Sequence, residues 1–433
     1  MKPLLVISCP IETMSGYGAR SRDVVKALLK YDKYDIKVLS QRWGNTAYNA
    51  LDPNITEDKQ LLDLIWKQPQ LPKQPDIWIQ ITVPNEFQPI GKFNIGITAG
   101  IETTICDPSW IEGINKMNLT LVSSNHAKKV FEQSAFEQRD KNTNQIVKQI
   151  KLEKPIEVLF EGVDLNKYFF IDDEDLDGTE LVTSLDEIKE DFCFLYVGHW
   201  LQGQIGEDRK NTGYTIKAFL ETFKNKKNPP ALILKTSQVT NSIMDRDEIL
   251  KKIDAIKQTV RGELPNIYLL HGDLEDKDIN DLYNHGKVKA MVSLTKGEGF
   301  GRPLLEFSLS KKPIIASNWS GHTDFLNEEY SVLVGGTLTN VHPSAVVQNM
   351  ILPDSQWFTP NDSSVADAYK NVYGYYGKYF ELSKRQAHYS KTYFSFDKMA
   401  DVLDNILETK VPKQVELKLP SLKKIELPKL KTV

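Results

Sequence analysis

Lys296-Gly297-Glu298-Gly299-Phe300-Gly301-Arg302-Pro303-Leu304-Leu305-Glu306 lies between the apolar run Ala290 to Leu294 and a second apolar stretch. The first run reads as a buried strand and the stretch from Pro303 to Ser310 as a helix. Pro303 suits a first helical turn, where its missing N–H costs nothing. Gly299 and Gly301 leave room for a ligand to approach the backbone, and free amides at a helix start can meet a phosphate or a sugar oxygen. Glu298 then sits in the loop and Glu306 about one turn inside the helix. Both carboxylates can face one crevice at the carboxyl edge of a sheet, where open α/β folds bind ligands.

Outward from this motif the chain alternates between short apolar runs and amphipathic stretches. Upstream strands are expected at Phe192 to Val197, Ala231 to Lys235 and Ile267 to Leu270, and a downstream one at Pro313 to Ser317. Helices are expected at Thr212 to Lys224, Asp245 to Thr259 and Asp276 to Asn284. The first part of the chain repeats the pattern. Its strands read at Leu4 to Ser8, Ile36 to Leu39, Ile77 to Ile81, Asn94 to Ala99, Leu119 to Ser123 and Ile156 to Phe160, with helices at Tyr17 to Leu29, Pro108 to Lys116 and His126 to Gln133. Such alternation indicates βαβ units and mostly parallel sheets. Val365 to Leu407 is helical in pattern and rich in tyrosine.

Two segments break the pattern. Ile171 to Asp191 carries ten acidic residues and one lysine and reads as a solvated linker or insertion with few apolar anchors. After Lys410, Pro412, Pro420 and Pro428 recur among lysines, which argues against a helix. The expected organisation is a first Rossmann-like domain over 1–165, the acidic segment over 166–191, a second Rossmann-like domain over 192–390, a terminal helix over 391–410 returning to the first domain, and a basic tail over 411–433.

The length of 433 residues is too great for one ordinary core. A net charge of -4 gives no overall field to attract nucleic acid. Cys9, Cys106 and Cys193 are far apart and make neither a disulfide framework nor a metal spacing, which fits a reducing compartment. The apolar run at the start is short for a signal peptide and no stretch is long enough to span a bilayer, so a cytoplasmic location is expected, with peripheral membrane association left open.

The motif resembles the E-x7-E signature of retaining glycosyltransferases of the GT-B fold, specifically family 4. The likeness continues in order. Ser15-Gly-Tyr-Gly18 resembles the glycine loop after the first strand, FEGVDLNKYF resembles the domain crossover, and PIIASNWSGHTDFL resembles the segment after the motif. FSFDKMADVLDNIL resembles the final helix. The resemblance implies an α/β GT-B fold, two Rossmann-like domains facing each other across a cleft, and transfer of a sugar from a nucleotide diphosphate donor with retention. It implies that Glu306 binds the donor ribose and that Glu298 lies by the transferred sugar with the amides around Gly299, Phe300 and Gly301. Arg209 and Lys210 match the family's basic pair on the diphosphate. His199 stands where the family often has arginine, and Lys235 could supply the missing charge. Gly16 and Gly18 are expected to approach the diphosphate from across the cleft.

Glu102 and His126 are candidates for the acceptor side. Trp43, Trp78, Trp110 and Trp200 could form a sugar platform, although most should be core. No cofactor or metal is expected beyond the co-substrate, since two basic side chains can take its place. The acceptor is open: a polysaccharide, a lipid carrier, a protein or a modified nucleic-acid base. The oligomeric state is not readable. A sugar-nucleotide epimerase or a non-catalytic binding or assembly protein on the same fold are the competing readings, because fold alone does not fix function.

Overall fold

The computed structural model describes residues 2–412 except 141, 201–202 and 239–240. Residues 413–433 of the expected basic tail lie outside the described residues.

Strand β1 (Leu4–Cys9) is buried at every position and is the second strand of the first sheet. Ser15 ends the following loop and caps α1 (Gly16–Tyr31) by accepting from the amide of Gly18. The chain continues through β2 (Asp35–Ser40), α2 (Thr56–Asp63), β3 (Ile77–Ile81), β4 (Phe93–Thr98), α3 (Pro108–Lys116), β5 (Leu119–Val122) and α4 (Asn125–Gln133). A hairpin of β6 (Ala135–Arg139) and β7 (Ile146–Lys151) precedes β8 (Ile156–Val158). The sheet order is β2-β1-β3-β4-β5-β8, with every pairing parallel.

The second sheet repeats this plan. Helix α5 (Glu180–Asp186) leads into β9 (Cys193–Val197), α6 (Thr212–Phe223), β10 (Ala231–Lys235), α7 (Ile243–Gln258), β11 (Ile267–Leu270), α8 (Asp276–Asn284), β12 (Val288–Ser293), α9 (Arg302–Ser308), β13 (Ile314–Ser317) and β14 (Val332–Val334). The order β11-β10-β9-β12-β13-β14 is again parallel throughout. An antiparallel pair, β15 (Gly336–Asn340) and β16 (Gln356–Pro360), follows, and then α10 (Asp362–Gly374), α11 (Tyr376–Tyr393) and α12 (Phe396–Lys410). The expected two Rossmann-like domains are present. In each sheet the strand order reverses direction beside its first strand, at β1/β3 and at β9/β12. Crevices at the carboxyl ends of strands open at such switch points.

Several features differ from the sequence expectation. Helix α2, the β6–β7 hairpin and β14 to β16 were not expected, because their short stretches lack an unbroken period. The long tyrosine-rich helical stretch is three helices, restarted where Ser395 caps α12 by accepting from the amide of Lys398. The acidic segment has apolar anchors after all: Val182, Leu185 and Ile188 recur every three residues and are buried. Asp173 also accepts from the amide of Gly286 at 2.5 Å. Helix α12 packs on the first domain, where Met399, Ala400, Leu403, Ile406 and Leu407 share a core with Val24, Val25 and Leu28.

Candidate active site

The loops after β9 and β12 meet at the second switch point, and backbone hydrogen bonds fix how they meet. The amide of Lys296 donates to Arg209 O at 2.8 Å, and Asn211 Nδ2 donates to Leu294 O at 2.9 Å. Asn211 itself has φ +56°, a left-handed turn that starts α6. This stitching holds Arg209 and Lys210 over the motif loop. Lys210 Nζ lies 2.6 Å from Glu298 Oε1, and Arg209 Nη1 lies 3.3 Å from Glu298 Oε2 and 2.8 Å from Gly297 O. Glu102 of the first domain approaches Arg209 at 3.6 Å.

Burial opposes the charge on Glu298, but Lys210 and Arg209 outweigh it and hold the carboxyl down at about 2. The group is therefore an ionised acceptor between two cations. Beside it, the amides of Gly299, Phe300, Gly301 and Arg302 have no acceptor among the described residues. Gly301 has φ +97°, which only glycine adopts without strain, and this turn aims the backbone into α9. The Phe300 ring faces away, buried against Phe325 in the core.

One turn along α9, Glu306 is buried and accepts from Arg302 Nε at 2.9 Å. Burial pushes its carboxyl up to about 7, with Arg302 opposing. Arg302 Nη1 also donates to Asp23 of α1 at 2.6 Å. Other contacts also join the two domains. Thr104 N donates to Gln356 O and Gln356 N to Thr104 Oγ1, each at 2.9 Å. Asn125 N donates to Asp324 Oδ2 at 2.8 Å. Closure is tight at Gly297: a Cβ there would lie 2.0 Å from Glu102 O, so any larger residue would push the domains apart.

The other sequence candidates are placed as follows. Gly16 borders open space, whereas Gly18 packs against Thr13 O within its own domain. Lys235 Nζ donates to Gly272 O at 2.5 Å, so it is engaged there and not with Glu298. His199 Nδ1 lies 3.2 Å from Ser237 Oγ. His126 meets Trp319 of the second domain edge-on at 4.6 Å. Burial, with His322 nearby, pulls the His126 imidazole down to about 4, so it is neutral at physiological pH, and its Nε2 has no partner among the described residues. Trp78, Trp110 and Trp200 are core residues, and Trp43 is not. Asp23, Thr104, Trp319 and Gln356 were not expected at the cleft; their signal is tertiary, since each meets a partner far away in sequence.

Comparison with solved structures bears on the fold. The chain superposes on a glycosyltransferase from Rickettsia africae with a TM-score of 0.60, at 15% identity over 95% of this chain and 100% of that one. It is similar to HepE of Anabaena, solved in complex with UDP-glucose, with a TM-score of 0.58 at 12% identity over 94% of this chain and 100% of that one. It is also similar to sucrose-phosphate synthase from Thermosynechococcus elongatus, with a TM-score of 0.61 at 11% identity over 94% of this chain and 98% of that one. The fold is GT-B. No protein-family model matches the chain, and no curated protein matches it by sequence. The GT-B cleft accordingly carries, at the second domain's switch point, an ionised glutamate between two cations, a row of open amides and a second buried glutamate. Among the described residues no helix is long and apolar enough to cross a membrane, and no group of histidine, cysteine and acidic side chains could hold a metal.

Proposed function

We propose that this chain is a glycosyltransferase that moves a sugar from a nucleotide diphosphate donor to an acceptor hydroxyl, with retention. The observation that carries the reading is the pairing of Lys210 and Arg209 with Glu298 beside the open amides of the motif loop. Solved structures of the same fold include HepE with UDP-glucose, which makes a uridine diphosphate sugar the first donor to test.

In this reading the diphosphate lies against Arg209, Lys210 and the amides of Gly299 to Arg302, and the ribose hydroxyls donate to Glu306. The bond between the sugar C1 and the diphosphate oxygen breaks, and the bonding pair leaves with the phosphate. The two cations stabilise that growing charge, the kind of contribution that often dominates catalysis. The acceptor oxygen attacks C1 on the same face, and its proton passes to the departing phosphate. Glu298 orients both cations before the donor arrives and then faces the transferred sugar. A double-displacement glycosidase would need two carboxylates flanking the bond, about 5 to 5.5 Å apart; here one of the two is assigned to the ribose. With two fixed cations on the phosphate, no divalent ion is required.

The test is release of nucleoside diphosphate from a panel of UDP-, GDP- and ADP-sugars, with and without EDTA. The reading expects release from one donor class, undiminished by the chelator. Intact donors bound without turnover would indicate a binding protein. Free nucleotide with an epimerised sugar would indicate the epimerase, and loss with EDTA restored by magnesium would overturn the basic-pair mechanism.

A further inference from the structure

Trp43 differs from the tryptophans of the core. It lies on the loop after β2, partly exposed, and stacks on Tyr17 with ring centroids 4.0 Å apart and planes 21° from parallel. Two backbone hydrogen bonds fold this loop over the loop after β1: Met14 N to Ala47 O at 2.9 Å and Ala50 N to Glu12 O at 3.0 Å. Tyr17 opens α1 directly after Gly16, which borders open space. The hydroxyl end of Tyr17 is linked to the motif loop through Ala99. Its hydroxyl lies 2.9 Å from Thr98 Oγ1 and accepts from Ala99 N at 3.2 Å. Ala99 in turn abuts the motif loop, where a Cβ on Gly299 would stand 2.9 Å from Ala99 O. A stacked aromatic pair therefore runs from the motif loop to the outer lip of the first domain.

We propose that the Trp43 ring, braced by Tyr17, is the platform of an acceptor subsite, and that the acceptor presents a saccharide ring to it. The inference rests on the glycosyl-transfer reading and names the acceptor class for that same site. An aromatic face suits the C–H face of a sugar, while the sugar's outward hydroxyls need donors and acceptors around the rim. The loop supplies those: Arg42, Asn45, Thr46 and Asn49 are all exposed around Trp43. A lipid chain would need a continuous apolar groove, and a nucleic-acid strand would need a run of cations; this polar loop with one arginine offers neither.

The experiment uses the full chain and two readouts. Saturation-transfer NMR with the methyl α- and β-glycosides of glucose, galactose and mannose reports binding without turnover. Kinetics with the same glycosides as acceptors and UDP-glucose as donor separate the two Michaelis constants. The proposal expects at least one glycoside to bind. Trp43→Ala should abolish its signal and raise the acceptor KM about 10-fold, the effect of about 1.4 kcal/mol, while the donor KM moves less than about 2-fold. Trp43→Phe, which keeps a ring, should recover most of the loss. The proposal is overturned if no glycoside binds, if the signal persists in Trp43→Ala, or if both constants rise together, which would make the stack a scaffold for the loop. Absence of nucleoside diphosphate release by the wild type from UDP-, GDP- and ADP-sugars with any acceptor would count against the glycosyl-transfer reading instead, and the NMR arm would still decide Trp43.

Discussion

Arg302 and Asp23 meet across the cleft at 2.6 Å, tying the first turn of α9 in one domain to α1 in the other. The same guanidinium holds Glu306 through its Nε. One side chain thus links the glutamate assigned to the donor ribose with closure of the two domains. A ligand that engages Glu306 acts on the group that latches the cleft.

Asp23→Asn should weaken this latch while leaving Arg302 on Glu306. The pair is largely buried, and asparagine keeps the side-chain shape but removes the charge that draws Arg302 across the cleft. Small-angle scattering should show a more extended molecule, and the donor KM should rise about 10-fold with kcat little changed. An unchanged radius of gyration with an unchanged KM would show that closure does not depend on this contact.

Glu306 also predicts a pH effect. Its carboxyl is pushed up from 4.5 to about 7 in the folded protein by burial, with Arg302 opposing. The folded state therefore holds a proton that the unfolded chain has already lost. That contribution is fully present below pH 4.5 and is lost as the pH rises through 7. Glu306→Gln, which cannot ionise, should lose less stability than the wild type between about pH 4.5 and about pH 7.5 in denaturant titrations. Parallel profiles for the two proteins would show that Glu306 is ionised throughout that range.

Every strand of the two sheets except β14 was legible because buried parallel strands are short continuous apolar runs, as in LLVIS and ALILK. The loop of Glu298 was legible because glycines, a proline and two carboxylates fall together between such runs. Lys210 was assigned to the donor diphosphate only by resemblance, and the geometry that sets it beside Glu298 depends on Asn211 and the Lys296 amide. Asp23 was not legible, since one acidic residue on an amphipathic helix looks like a solvated face. Lys235 illustrates the reverse: a lysine at a strand end looked available, yet a carbonyl just after the next strand accepts from its ammonium. The acidic segment looked unanchored because its charges hid the three-residue recurrence of Val182, Leu185 and Ile188.

The central claim is that Lys210 and Arg209, poised on Glu298, form the site of the donor diphosphate. Calorimetric binding of UDP against uridine, with the guanine and adenine pairs run in parallel, tests it most directly, in the wild type and in Lys210→Ala. The account predicts that one diphosphate binds about 100-fold more tightly than its nucleoside, and that loss of the Lys210 charge cuts this advantage to about 10-fold or less. Equal affinity for diphosphate and nucleoside in the wild type, or an advantage that survives in Lys210→Ala, would contradict it.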